Sequence, residues 1–76
     1  MAQEIAPRIV VDKNIRFGKP VIEGTRVDVA TILGQMAAGD SFEEVMEQYH
    51  LTREDVLAAL AYAAEIIASE QVRAIG

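Results

Sequence analysis

The sequence predicts a mainly α domain: a small N-terminal β element followed by three helices in a helix-turn-helix-like arrangement. Three observations carry that expectation. Two short β-branched runs, Ile9-Val10-Val11 and Val21-Ile22, are bracketed by turn residues. From Asp28 onward the apolar residues recur every three or four positions instead of every two. The chain has 76 residues, 51% of them hydrophobic and 25% charged, which leaves room for one core. A single domain over 1–76 follows, with the β element in 1–26 and the helical part in 27–76.

The elements are justified in order. Asp12-Lys13-Asn14 is turn chemistry after the first run, and the second run lies between Pro20 and Gly24. Pro20 cannot donate to a ladder, so it suits a strand's first residue or an edge. The two runs can pair, and so short a pair needs a second chain or the helices beside it. Val29, Ile32, Leu33, Met36 and Ala37 then share one helical stripe, with Asp28 as N-cap and Gly39 placed to close the helix. Ser41-Phe42-Glu43-Glu44 has the form of a capping box and opens a second helix on Phe42, Val45, Met46 and Tyr49. Thr52-Arg53-Glu54-Asp55 is a similar box with Asp at its last position. Leu51 is placed to staple onto Val56, and a long alanine-rich helix follows through Val56, Leu60, Ala63 and Ile67 into the late sixties.

Charge is uneven along the chain. The formal net charge is -5, yet residues 1–26 carry five cations against three acids while 27–76 carry two against nine. Phosphates repel an acidic surface, so any nucleic-acid contact falls first to Lys13, Arg16, Lys19 and Arg26. The absence of cysteine removes disulfides and thiol catalysis. The start, MAQEIAPRIVV, lacks a signal-peptide pattern, and no window approaches a membrane span, so a cytoplasmic protein is expected.

Only His50, Leu51 and Thr52 separate the second and third helices, the tight connection of a helix-turn-helix unit. In that reading Thr52 and Arg53 stand where bases are read. Glu43, Glu44, Glu47, Glu54 and Asp55 surround them, however, and their field opposes phosphate approach.

The order of motifs resembles the bacterial family named domain of unknown function 433, grouped with antitoxins of the VapB type. The matching residues run from about Ile9 to Ala64. They include Gly18-Lys19-Pro20-Val21-Ile22, Gly24-Thr25-Arg26-Val27, Ser41-Phe42-Glu43-Glu44-Val45 and Leu51-Thr52-Arg53-Glu54-Asp55-Val56. The resemblance implies a homeodomain-like unit acting as a homodimer. It further implies a PIN-domain-like ribonuclease toxin as partner and promoter DNA as a second target.

Within GKPVIEGTRV two readings stand side by side. In the first, Gly18 and Gly24 shape turns, Pro20 stiffens strand entry and Thr25-Arg26 lead into a helix. In the second, Lys19 and Arg26 form a basic edge for phosphates or carboxylates. A phosphate loop is disfavoured, because the upstream glycine is missing and proline follows Lys19 where Ser or Thr belongs. Catalysis has no constellation to rest on: His50 is the only histidine and sits in a turn. No cofactor, metal or enzymatic activity is expected. The candidate partner contacts are Ile66, Ile67, Val72 and Ile75 on and beyond the long helix. The alternative to the antitoxin reading is an interaction or dimerisation module that does not bind DNA.

Overall fold

A computed structural model describes residues 2–70. The order of elements is β1 (Gln3–Ala6), β2 (Ile9–Val11), a short 3-10 turn (Arg16–Gly18), β3 (Val21–Ile22), α1 (Val29–Ala37), α2 (Phe42–Tyr49) and α3 (Arg53–Ser69). The result is a helix-rich α/β fold in which a three-stranded antiparallel sheet, ordered β1-β2-β3, lies beside three helices.

The two β-branched runs pair with each other, Ile9 opposite Ile22 and Val10 opposite Val21. A third strand that the β-branched pattern does not announce, β1, adds to the outer side of β2 with a bulge between Glu4 and Ala6. Its sequence, Gln-Glu-Ile-Ala, is poor in strand formers, and the pairing comes from a tight turn at Pro7-Arg8. Arg8 there has φ 67, a left-handed conformation that favours glycine.

The GKPVIEGTRV stretch is mostly turn geometry. The Thr25 hydroxyl donates to the Ile22 carbonyl at 2.8 Å and accepts from the Val27 amide at 3.0 Å, closing a loop whose tip, Gly24, has φ 79. The chain returns along β3, Val21 bridging to Asp28, and the Val29 amide bonds to the Pro20 carbonyl at 2.9 Å. Pro20 thus contributes the acceptor it has and is spared the donor it lacks.

All three helices begin at their expected caps. The Asp28 carboxylate accepts from the Thr31 amide, and both Ser41-Glu44 and Thr52-Asp55 close reciprocal capping boxes. α1 ends in a Schellman motif: Gly39 has φ 107, its amide bonds to the Met36 carbonyl and the Asp40 amide to that of Gln35. α2 ends on a left-handed His50, φ 57, with the His50 and Leu51 amides both bonded to the Met46 carbonyl, the latter at 2.9 Å. A left-handed histidine at this position costs about 1 kcal/mol.

The core is Ile9, Ile22, Val29, Ile32, Val45, Leu51, Val56 and Ala59, so sheet and helices share one apolar interior. Each fully buried Ile, Leu or Val contributes roughly 1.5–3 kcal/mol relative to exposure. On α3 the buried line runs through Val56 and Ala59, Leu60 packs half-buried against the core, and Ile67 is 63% exposed. In an alanine-rich helix nearly every face is mildly apolar, so packing and not periodicity sets which face turns inward. Leu51 and Val56 both join the core, as a hydrophobic staple requires.

Candidate partner groove and basic edge

The first surface is an apolar groove between α1 and α3. Val29, Ala30 and Leu33 form one wall, Tyr62, Ala63, Ile66 and Ile67 the other, and Pro20 closes one end, around a hollow of about 320 Å³. Tyr62 and Ile66 also line a neighbouring hollow with Ile5 of β1, Glu65 and Ser69, so the surface continues from α1 across α3 to the sheet with a polar margin. Ile5, Ile66 and Ile67 are 41%, 42% and 63% exposed. Ile66 and Ile67, two of the candidate partner contacts, line this groove, while Val72 and Ile75 lie outside the described residues. Pro20, Leu33 and Ile5 were not foreseen, because they come from three elements that only the fold brings together.

The second surface is the basic edge of the β element. Lys13, Lys19 and Arg26 are exposed and form no ion pair among the described residues. Arg16 is committed elsewhere: its Nε and Nη2 both donate to Asp28 Oδ2 at 3.1 Å. Asp28 is 3% exposed. Burial alone pushes its carboxyl up, but the bonds from Thr31 and Arg16 outweigh that and hold it below the ordinary aspartate range. A hollow beside this pair is lined by Arg16, Arg26, Thr31 and Tyr49.

At the start of α3 the candidate base readers are occupied. The Thr52 hydroxyl accepts from the Asp55 amide at 3.1 Å, and the Arg53 guanidinium lies over the Phe42 ring, 4.5 Å from its centroid. Asp55 Oδ2 accepts from the Thr52 amide at 3.0 Å, and its Oδ1 accepts from Arg8 at 2.9 Å. Burial pushes the Asp55 carboxyl up, but these bonds outweigh it and keep it low. Glu44 is likewise lowered, by the Ser41 amide it accepts from. The structure therefore separates the six candidate DNA contacts into Lys13, Arg16, Lys19 and Arg26 on the β element and Thr52 and Arg53 at a helix start.

The residue that sequence reasoning passed over is Phe17. It is 96% exposed, at the tip of a turn in which Arg16, Phe17 and Gly18 all have positive φ, 51, 58 and 82. Two of those three residues are not glycine, at a cost of about 1–2 kcal/mol each. With Ile15 at strand spacing and Val21 at helix spacing, its neighbours in the sequence give no sign that the ring stays out of the core.

The described residues thus form a small helix-rich α/β domain with an apolar groove between α1 and α3 and a separate cationic edge on the β element. The chain belongs to the family described as protein of unknown function DUF433, whose sequence profile matches residues 9–63. It is similar to the Mycobacterium tuberculosis (strain ATCC 25618 / H37Rv) protein named "Putative antitoxin VapB45", 36% identical over 52 residues. That match covers 68% of this chain and 22% of the relative. The crystal structure of Rv2018 from Mycobacterium tuberculosis superposes with a TM-score of 0.63 at 36% identity, covering 68% of this chain and 24% of that one. The chain thus spans about a quarter of the length of these relatives. Among the described residues no helix is long and apolar enough to cross a membrane.

Proposed function

We propose that this chain is an antitoxin-like, non-enzymatic regulator that holds a PIN-domain-like ribonuclease toxin in the α1–α3 groove. The observation that carries the reading is the groove itself. It is an apolar surface assembled from Leu33, Tyr62, Ile66 and Ile67 and extended by Ile5, on a chain similar to one named as an antitoxin. Apolar patches of this kind on small proteins mark interaction sites. In this reading the protein works in the cytoplasm as a homodimer and touches promoter DNA through the basic edge of the β element. Thr52 and Arg53, enclosed by acids, contribute little to that contact.

The test is reconstitution. The protein is purified from its native host with whatever remains bound, and any ribonuclease recovered is assayed for RNA cleavage with and without it. A stoichiometric complex whose nuclease is inhibited, and which Ile67→Asp disrupts while circular dichroism stays unchanged, supports the reading. A self-associated protein that leaves the nuclease active, and whose dimer is lost in Ile67→Asp, replaces it with a dimerisation module.

A further inference from the structure

We propose that Phe17 is a base-stacking residue, displayed by the left-handed turn Arg16–Gly18 at the centre of a cationic edge that binds nucleic acid. The ring gains nothing from folding. At 96% exposure it packs on nothing, whereas the chain's other phenylalanine, Phe42, packs against the core. The backbone nevertheless holds it in a conformation that a glycine would adopt without strain. The turn is fixed from outside the ring. The Gly18 amide bonds to the Ile15 carbonyl and the Lys19 amide to that of Arg16, both at 3.1 Å. Ile15 bridges to Asp12, and the Arg16 side chain is anchored on buried Asp28. Strain kept in place by its surroundings, with an apolar group displayed at its tip, is the arrangement found at contact sites.

The charge around the ring selects the partner. From Lys13 to Arg26 the chain carries four cations against Glu23 alone, in a protein whose formal net charge is -5. Arg16 is spent on Asp28, leaving Lys13, Lys19 and Arg26 exposed. The turn joins two hollows of mixed charge, one that Gly18 shares with Lys13 and Asp12 and one that Arg16 shares with Arg26 and with Asp28, whose carboxylate Arg16 already occupies. The centre of a protein–protein interface is depleted in lysine. An aromatic face beside free ammonium and guanidinium groups is instead the combination that binds a base and its flanking phosphates. The exposed base face is supplied by a single strand or by an unstacked step of a duplex, and the chemistry is the same in both. This deepens the nucleic-acid part of the function proposed above and is independent of the α1–α3 groove.

The chain contains no tryptophan, so Phe17→Trp introduces a single indole at the tip, which can be excited selectively over Tyr49 and Tyr62. The wild type, Phe17→Trp and Phe17→Ala are titrated at low salt with mixed-sequence DNA of about 20 nucleotides, single-stranded and duplex. Phe17→Ala, with unchanged thermal unfolding, is expected to bind about 5- to 100-fold more weakly, the range for losing one stacked base. Phe17→Trp is expected to retain affinity and to be quenched at saturation. The arm with the larger Phe17→Ala effect, single strand or duplex, identifies the source of the stacked base. Wild-type affinity in Phe17→Ala, or unquenched tryptophan at saturation, overturns the proposal. A Phe17→Ala variant that keeps DNA but loses a co-purified ribonuclease also overturns it, by making the ring a protein anchor. No DNA binding by the wild type removes the nucleic-acid reading altogether and leaves the groove reading standing.

Discussion

Two arginines of the β element, Arg8 and Arg16, make the same kind of contact in different surroundings. Each has a left-handed backbone, with φ 67 and 51. Each reaches an aspartate at a helix start, Arg8 to Asp55 of α3 at 2.9 Å and Arg16 to Asp28, the N-cap of α1, at 3.1 Å. In both, one carboxylate oxygen takes the arginine and the other takes a backbone amide, from Thr52 or Thr31. The side chain of Asp55 is 14% exposed and that of Asp28 is 3% exposed. That difference decides what each pair contributes. A solvated pair is worth roughly 0–1 kcal/mol, whereas a buried carboxylate that loses its partner is left with an uncompensated charge. The Arg8 pair guides the sheet onto α3, and the Arg16 pair is required by α1 and by the Phe17 turn together.

The largest expected effect is at the buried end. Asp28→Ala removes the N-cap of α1 and the anchor of Arg16, and is expected to cost about 2–4 kcal/mol in urea unfolding, cap and charged hydrogen bond together. Asp55→Ala is expected to cost about 1 kcal/mol by the same measure. Equal losses would mean that burial does not separate the two pairs. Double-mutant cycles are the sharper instrument. The coupling of Arg16→Ala with Asp28→Ala is expected at about 1.5–3 kcal/mol, against about 0.2–1 kcal/mol for Arg8→Ala with Asp55→Ala.

Backbone strain can be separated from the ion pair. Arg8→Ala loses the pair and keeps the left-handed residue, while Arg8→Gly loses both, so the glycine variant should be the more stable by about 1 kcal/mol. His50→Gly carries no ion-pair loss, and the same relief of strain should appear as a gain of about 0.5–1 kcal/mol over the wild type. A destabilised His50→Gly would show that the ring contributes more at the end of α2 than its backbone costs.

The smallest effect is in the pH dependence. Asp28 and Asp55 are held below their ordinary value of 3.8, and Glu44 below 4.5. A lowered native value means that the unfolded chain takes up protons first. The stabilisation is therefore complete above those ordinary values and is lost as the pH falls through them toward the native ones. Urea midpoints should be flat near neutrality and fall in acid, and Asp55→Asn should show a shallower fall than the wild type. An identical slope would assign the acid sensitivity to Asp28 and Glu44.

The helices were legible because their signals are local. Asp28, Ser41, Thr52, Gly39 and the apolar spacing of α1 and α2 act within a few residues, and each cap closes as its sequence implies. The pairing of Ile9-Val10 with Val21-Ile22 was legible for a similar reason, since two β-branched runs separated by turns can bury one face by meeting. What the tertiary structure alone decided is everything that depends on contacts distant along the chain. β1 exists because a turn lays a weak strand former along β2, and Ala59 is fully buried while Leu60 packs only half-buried against the core because packing resolves an ambiguous helix. Ile5, Pro20 and Leu33 meet Ile66 in space, 33 or more positions apart in sequence. Arg16 reads in sequence as one more cation of a basic edge, and its pairing with Asp28 appears only once the chain has doubled back. Phe17 is the limiting case, because nothing local distinguishes an aromatic destined for the core from one held out in water. Burial is a property of the assembled surface, and no window of sequence contains it.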